Sequence, residues 1–427
     1  MQHLLFLSHR IPYPPNKGDK IRSYHLLKHL SGQYRVHLGC FVDDPADMQH
    51  VDYVRSLCAS SHIVPLDRKR ATVMSTRGLM TGEALTLPFY RTSGMTDWVA
   101  RTLREFPINN AVAFSSAMAQ YLLDSGHVLH RVVDFVDVDS DKWRQYAQSR
   151  KWPLSAIYRR EADKLFDFER RIALECEATV LVSEAEAQLF REAVPAAARR
   201  VHVVNNGVDT DFFTPYRDYA SPYKSRELAI VFTGAMDYWA NVDAVDWFAR
   251  HVFPAVYKKI PAARFYIVGA RPAPLTQALA KFPGVIVTGA VEDVRPYLAH
   301  AALSVAPLRI ARGTQNKVLE AMAMSRVVIA SAQATQGLDL SGKGRELRVA
   351  NDAAEFIAEV LHWLEDKRAR ETLGVAARKH VLSRYSWHTN LAAIDRLLVP
   401  NDKVIDDGMT TELPRTPDIA AQPERFV

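Results

Sequence analysis

One pattern recurs along the chain: a short, continuous apolar run, then a longer stretch with apolar residues three or four apart. Continuous runs of Val, Ile, Leu and Phe mark strands covered on both faces, because a strand with one wet face alternates apolar and polar residues. In the first half these runs fall at 3–8, 34–42, 62–66, 111–115, 131–136, 179–182 and 201–204. They resume at 228–232, 264–268, 285–288, 303–306 and 327–330, after a turn-rich stretch, 214–223, that holds two prolines and three tyrosines. Helical spacing fills most of the intervals, and two further helices are expected at 353–365 and 367–383. Strand–helix alternation of this kind predicts parallel α/β sheets wound on both faces. Two such series imply two Rossmann-like, doubly wound domains, 1–213 and 224–383, joined by the 214–223 linker. Ligands of such sheets sit beyond the carboxyl ends of the strands, which puts the expected site in a central cleft between the domains. From Pro400 onward the chain has four prolines and no periodicity, and 401–427 is expected to be disordered.

Composition changes this picture little. The 427 residues allow two or three domains of about 150 residues each. With 48% hydrophobic and 24% charged residues, a disordered chain, a collagen-like fibre and a small disulfide scaffold are excluded. The net charge of +6 is compatible with anionic partners. Residues 1–200 hold 27 basic and 23 acidic side chains and residues 201–427 hold 27 and 25, so neither half is a basic arm. Two shorter windows are richer: 68–104 has seven basic against two acidic residues, and 142–171 has nine against four. Aromatics accompany both, Phe89, Tyr90 and Trp98 in the first, Trp143, Trp152 and Tyr158 in the second. Cys40, Cys58 and Cys176 have no paired spacing, which argues against a disulfide framework or zinc knuckle. The apolar N-terminal run is too short for a signal peptide, and no 18-residue uncharged apolar stretch predicts a transmembrane helix. A cytoplasmic protein is the expectation. Scattered histidines without an HExxH, and the absence of GxSxG or Walker patterns, predict neither a metal site nor those two chemistries. No nucleic-acid module accompanies the charge, and no nucleic-acid partner is expected.

Three stretches carry candidate chemistry. Pro307-Leu-Arg-Ile-Ala-Arg-Gly-Thr-Gln-Asn-Lys-Val-Leu-Glu320 reads as strand end, glycine loop and helix start. Unsatisfied N–H groups at such a helix start form an anion site, and Arg309, Arg312 and Lys317 add positive charge to it. Glu320 lies one turn after Lys317 and can accept hydrogen bonds from vicinal hydroxyls; the alternative is a capped helix with a Lys–Glu surface pair. Asn16-Lys-Gly-Asp-Lys20 follows the first strand, Gly18 allowing close backbone approach and Asp19 serving either the site or the helix as its N-cap. Asp134, Asp137, Asp139 and Asp141 cluster at a strand end. They lack the glycine and closing Glu of a calcium loop. N-capping of the following helix by Asp139 or Ser140 is the local reading, and a part in the site is the other. Gly337-Leu-Asp339 is a further loop after the 327–330 run, or a plain turn.

Together these stretches resemble GT-B glycosyltransferases of the retaining family-4 type. Val201-His-Val-Val-Asn-Asn-Gly-Val-Asp209, Val231-Phe-Thr-Gly-Ala-Met236, Phe265-Tyr-Ile-Val-Gly269, Val287-Thr-Gly-Ala-Val-Glu-Asp293 and Arg384-Tyr-Ser-Trp-His388 are similar to successive strand ends and the late "YSW" element of that family. More narrowly, 12–20, 134–140 and 313–317 resemble the sugar transferases associated with PEP-CTERM/exosortase exopolysaccharide systems. The resemblance spans about residues 3–395. It implies a GT-B fold with an acceptor-side N-terminal domain, a nucleotide-sugar-binding second domain, and 384–400 crossing back onto the first. It implies a hexosyltransferase that moves sugar from a nucleoside-diphosphate donor to a glycan or lipid-linked acceptor, with retention and without metal or other cofactor. Donor contacts would come from Gly18, Gly234, Arg309, Gly313, Thr314, Gln315, Asn316 and Lys317, with Glu320 on the ribose. Asp19 would lie on the acceptor side, and Asp137 or Asp139 would meet the sugar and its developing charge as catalytic groups.

The chain departs from the family in two places. Family-4 enzymes often carry two glutamates eight positions apart; Glu320 matches the second, but Arg312 stands at the first. The Arg and Lys usual after the glycine turn are missing from 235–241, leaving phosphate neutralisation to Arg309, Lys317 and Arg312. Two rivals share the architecture: a nucleotide-sugar epimerase, which needs no acceptor groove, and a degenerate, non-catalytic nucleotide-sugar-binding protein. The basic windows read either as solvated helix faces or as a peripheral contact with an anionic membrane at its inner face.

Overall fold

The computed structural model describes residues 1–399 apart from 16, 128, 312, 313, 339 and 341–345. Asn16, Arg312, Gly313, Asp339 and the 401–427 tail therefore lie outside the described residues.

Each of the twelve apolar runs is a strand, and each strand is parallel to its neighbours. In the first sheet β1 (His3–Ser8), β2 (Arg35–Val42), β3 (Ser60–Pro65), β4 (Ile108–Phe114), β5 (His130–Val136), β6 (Ala178–Leu181) and β7 (Val201–Val203) lie in the order β3-β2-β1-β4-β5-β6-β7. In the second β8 (Leu228–Thr233), β9 (Ala263–Val268), β10 (Val285–Gly289), β11 (Leu303–Ala306), β12 (Val328–Ala330) and β13 (Arg348–Val349) lie in the order β10-β9-β8-β11-β12-β13. The strand missed in the sequence is β13. It is two residues long, lies at the sheet edge and pairs only Ile329 with Arg348 and Ala330 with Val349, so it leaves no apolar run to read. Continuous burial explains the central runs: Leu4 to Leu7 of β1 and Ala229 to Phe232 of β8 are shielded on both faces by helices, whereas the edge strands β3 and β10 are only half-buried.

Both sheets reverse their strand order at corresponding places, between β1 and β4 and between β8 and β11. Those reversals open crevices beyond the strands' carboxyl ends, where ligands of this architecture bind. The chain crosses between domains twice, and the two crossings lie together. Val208 bridges Ser386, and the Val208 N–H donates to the Tyr385 carbonyl at 2.8 Å. A Cβ on Gly207 would stand 2.7 Å from the Trp387 ring, so only glycine allows this approach. Beyond the crossing, helix Trp387–Leu397 buries Trp387, Leu391 and Ile394 against Leu4, Phe6 and Leu26 of the first domain. Asn110 Nδ2 ties its end by donating to the Leu398 carbonyl at 3.0 Å. The 214–223 stretch packs on the second domain, with the Tyr223 hydroxyl donating to the Tyr297 carbonyl at 2.5 Å.

Helix Gly18–Ser31 turns charge inward. The Arg22 Nε lies 2.7 Å from Asp134 Oδ2 with both side chains about 1% exposed, and Arg22 Nη1 donates to Asn206 Oδ1 at 3.0 Å. A buried pair of this kind adds little net stability over an apolar pair, but it fixes which groups face each other. Here it ties the first helix, the end of β5 and the start of the interdomain crossing.

Candidate active site

A cleft of about 380 Å³ opens where the first domain's strand ends meet the second domain. His9 follows β1, Ser115 follows β4, Val136 and Asp137 end β5, Val182 follows β6 and Asn206 follows β7. Gly18 and Asp19 open helix Gly18–Ser31, and Asp139 and Lys142 open helix Asp139–Ser149. Thr314 and Asn316 come from the second domain, at the start of helix Asn316–Ala323. Ser115 and Val136 both adopt positive φ, 80° and 70°. For a β-branched residue this is a strained backbone, of the kind that persists where surrounding structure holds a site.

On the first-domain wall Asp19 is not the helix cap. The N-cap residue is Lys17, which makes no side-chain cap, and Asp19 sits in the first turn with its carboxylate 2.7 Å from Arg10 Nη1 and 3.4 Å from His9 Nε2. Burial opposes its ionisation, but the His9 hydrogen bond and the Arg10 charge outweigh it and hold the carboxyl well below the usual range. Nor do Asp139 and Ser140 cap their helix. Val138 occupies the N-cap, and two buried glutamates reach in from other helices instead. Glu186 Oε2 accepts from the Val138 N–H at 2.9 Å, and Glu169 accepts from the Ser140 N–H at 3.2 Å and hydroxyl at 2.5 Å. Burial, reinforced by Asp139, pushes the Glu169 carboxyl up to about 8. Relieved of capping, Asp137 and Asp139 share one cation: Lys142 Nζ lies 2.8 Å from Asp137 and 3.1 Å from Asp139. Burial alone would lower the Lys142 pKa, but the two carboxylates raise it above its ordinary value. Asp134 belongs with Arg22, and Asp141 accepts from Gln145 within its own helix at 2.8 Å.

On the second-domain wall, Lys317 and Glu320 do not form the surface pair. Lys317 Nζ donates to Asn241 Oδ1 at 2.9 Å and lies over the Phe232 ring, 5.2 Å from its centroid. Gly234 adopts φ 154°, and a Cβ there would stand 2.8 Å from Asn241 Nδ2 and 3.3 Å from Lys317 Cε, so glycine keeps this floor open. Burial pushes Lys317 down to about 8 and Glu320 up to about 7, each against the pull of the other. Among the described residues nothing donates a hydrogen bond to the Glu320 carboxylate, a costly arrangement for a partly buried acceptor unless a ligand supplies the donors. Gln315 is the N-cap of helix Asn316–Ala323 without a side-chain cap bond, and Asn316 Oδ1 is buried without a partner. Thr314 Oγ1 donates to the Gly337 carbonyl at 3.1 Å.

The cleft thus gathers Gly18, Asp19, Asp137, Asp139, Thr314 and Asn316, with Gly234, Gln315, Lys317 and Glu320 grouped around the helix start behind them. Arg309 is elsewhere. Its guanidinium pairs with Asp243 and lines a separate cavity beside Trp247 and Asn351. His9, Ser115, Lys142, Asn206 and Asn241 escaped the sequence reading. All but Asn241 lie within a few residues of a strand's carboxyl end, and a search of those positions for polar side chains would have found them.

Residues 227–366 match the family model described as glycosyl transferases group 1. Among solved structures the chain is similar in fold to sucrose-phosphate synthase from Thermosynechococcus elongatus, with a TM-score of 0.67 and 17% identity over 93% of this chain and 98% of that one. It is similar also to HepE from Anabaena in complex with UDP (TM-score 0.63, 14% identity, 93% and 99% covered). A glycosyltransferase from Rickettsia africae aligns with a TM-score of 0.67 at 13% identity, covering 95% and 99%. No curated protein sequence matches the chain. The described chain has the GT-B fold, two parallel-sheet Rossmann-like domains of seven and six strands, and the match to group 1 glycosyl transferases falls within the second of them.

Proposed function

We propose that the protein transfers a hexosyl group from a nucleoside-diphosphate sugar to a glycan or lipid-linked acceptor, with retention at the anomeric carbon and without a metal ion. The observation that carries this reading is the pairing across one cleft of a helix start without a side-chain cap bond, bearing Lys317 and a Glu320 carboxylate to which no described residue donates, with a glycine-opened helix and an Asp–Lys–Asp cluster. The donor diphosphate lies on the Asn316 and Lys317 N–H groups, with Lys317 Nζ beside it. Glu320 accepts from the ribose hydroxyls, and Gly18 admits the phosphates close to the first-domain backbone. As the glycosidic bond breaks, negative charge builds on the departing diphosphate and positive charge on the anomeric carbon. Asp137 or Asp139 answers the second. Lys142, held between them, supplies to the first the cation that 235–241 lacks and that Arg309, engaged with Asp243, does not provide.

UDP bound to HepE, and UDP-glucose in a further HepE complex, make a uridine nucleotide the first donor to test. A role in exopolysaccharide synthesis rests on the resemblance of 12–20, 134–140 and 313–317. The test is a panel of UDP-, GDP- and dTDP-sugars read by nucleotide release, on the parent chain and on Glu320→Ala and Lys142→Met. Glu320→Ala should weaken donor binding, and Lys142→Met should lower kcat more than it raises KM. If Glu320→Ala leaves donor affinity and turnover unchanged, the reading fails.

A further inference from the structure

The two basic windows, about seventy residues apart in sequence, form one surface. Helix Arg77–Thr81 and the turn after it touch helix Leu154–Glu175 at two places. Arg160 Nη2 donates to the Gly78 carbonyl at 2.6 Å, and the buried Glu161 accepts from the backbone N–H groups of Leu85 (2.5 Å) and Thr86 (3.0 Å). Leu154, Ile157 and Glu161 follow one another on one helical face, so two apolar side chains stand one and two turns beyond that contact.

What this surface shows to solvent is unusual for a water-facing one. Met80 is 90% exposed, Trp152 82%, Val73 69%, Leu79 51%, Leu154 47% and Ile157 37%. Single exposed apolar residues are ordinary, but a group of six across two docked segments marks a contact surface. Around them Arg68, Lys69, Arg70 and Arg77 on one segment and Arg150, Lys151 and Arg159 on the other are all exposed. Among the described residues none of these seven lies within ion-pair distance of a carboxylate. The nearby acids are engaged: Asp67 caps the Lys69 and Arg70 N–H groups, and Glu83 pairs with Arg91. Exposed apolar side chains, one of them Trp, on the same two segments as seven cations that pair with no described carboxylate suit a bilayer surface, where the rings and chains enter the headgroup layer and the cations meet anionic lipid.

We propose that this face docks the protein on an anionic lipid bilayer. The position has a consequence for the cleft. Helix Asp139–Ser149 begins at the cleft, with Asp139 and Lys142, and ends at the turn that carries Trp152. Its eleven residues span about 16 Å, so a docked bilayer brings a membrane-held acceptor within reach of the proposed transfer site. This last step rests on the function proposed above; the docking itself does not.

The test is co-sedimentation of the full chain, without donor, with vesicles of phosphatidylcholine alone and of phosphatidylcholine with phosphatidylglycerol, at low and physiological salt. Binding is expected only to the anionic vesicles, weakening as salt rises. Met80→Asp/Trp152→Asp should reduce it at least about tenfold, and Arg68→Glu/Arg70→Glu by about fivefold or more for each cation lost. Nucleotide release from soluble donor should be unchanged in both variants, which separates this proposal from the assignment of the cleft. No binding at low salt overturns it. Binding of full strength by the Met80/Trp152 variant overturns it too, as does equal binding to neutral vesicles, which would make the surface a plain hydrophobic contact.

Discussion

Donor binding should depend on pH in a way that two side chains of the second domain set. Glu320, pushed up to about 7, must be ionised to accept from the ribose hydroxyls, and Lys317, pushed down to about 8, must be protonated to face the diphosphate. The productive form is therefore most populated between those values and declines on both sides. One unit below 7 the ionised fraction of Glu320 is about one tenth, which is tenfold in kcat/KM for the donor, or about 1.4 kcal/mol. Above 8 the loss follows Lys317. The assay is nucleotide release at sub-saturating donor from about pH 5.5 to 9. Glu320→Gln should lower the plateau and abolish the acid limb while leaving the alkaline one; Lys317→Met should abolish the alkaline limb. Glu169, also near 8, titrates in the same region, so the Lys317 variant is needed to assign that limb. An acid limb that persists unchanged in Glu320→Gln refutes the assignment of Glu320.

Three further outcomes follow from the geometry. A Cβ at Gly18 meets nothing within 4 Å, so Gly18→Leu should leave the thermal melt within about a degree or two but raise donor KM about tenfold or more, because its new side chain fills space a ligand needs. Arg22→Met strands the buried Asp134 carboxylate and should cost about 3–5 kcal/mol in urea denaturation; a loss under about 1 kcal/mol would mean that Asp134 finds another partner. Glu169 is raised to about 8 from an ordinary 4.5, so its proton stays on in the folded chain and leaves in the unfolded one across that window. Its contribution to stability is thus full below about 4.5 and is lost as pH rises to 8, and Glu169→Gln should flatten the decline of Tm between those limits.

Much of this protein was legible in its sequence because burial writes itself locally. A strand covered on both faces must be continuously apolar, and the twelve such runs, divided by one turn-rich stretch, are enough to state two doubly wound domains. The second-domain side of the cleft was readable for the same reason: Thr314, Gln315, Asn316, Lys317 and Glu320 lie within a few residues of one another along one strand–helix unit. The short edge strand β13 carries no such run and was invisible. So were the relations that depend on distant residues. Capping by Asp19 and Asp139 looked natural from local chemistry, but Arg10 and His9 claim the first and Glu169 and Glu186 displace the second. Arg309 looked like a phosphate cation, but its guanidinium pairs with Asp243 of helix Trp239–His251. Local periodicity and spacing thus determined the class of fold and half of the cleft. Which carboxylates are free, where Lys142 points and how two basic windows become one surface were decided only by tertiary packing, because ion pairing and desolvation act between groups that the chain brings together from far apart.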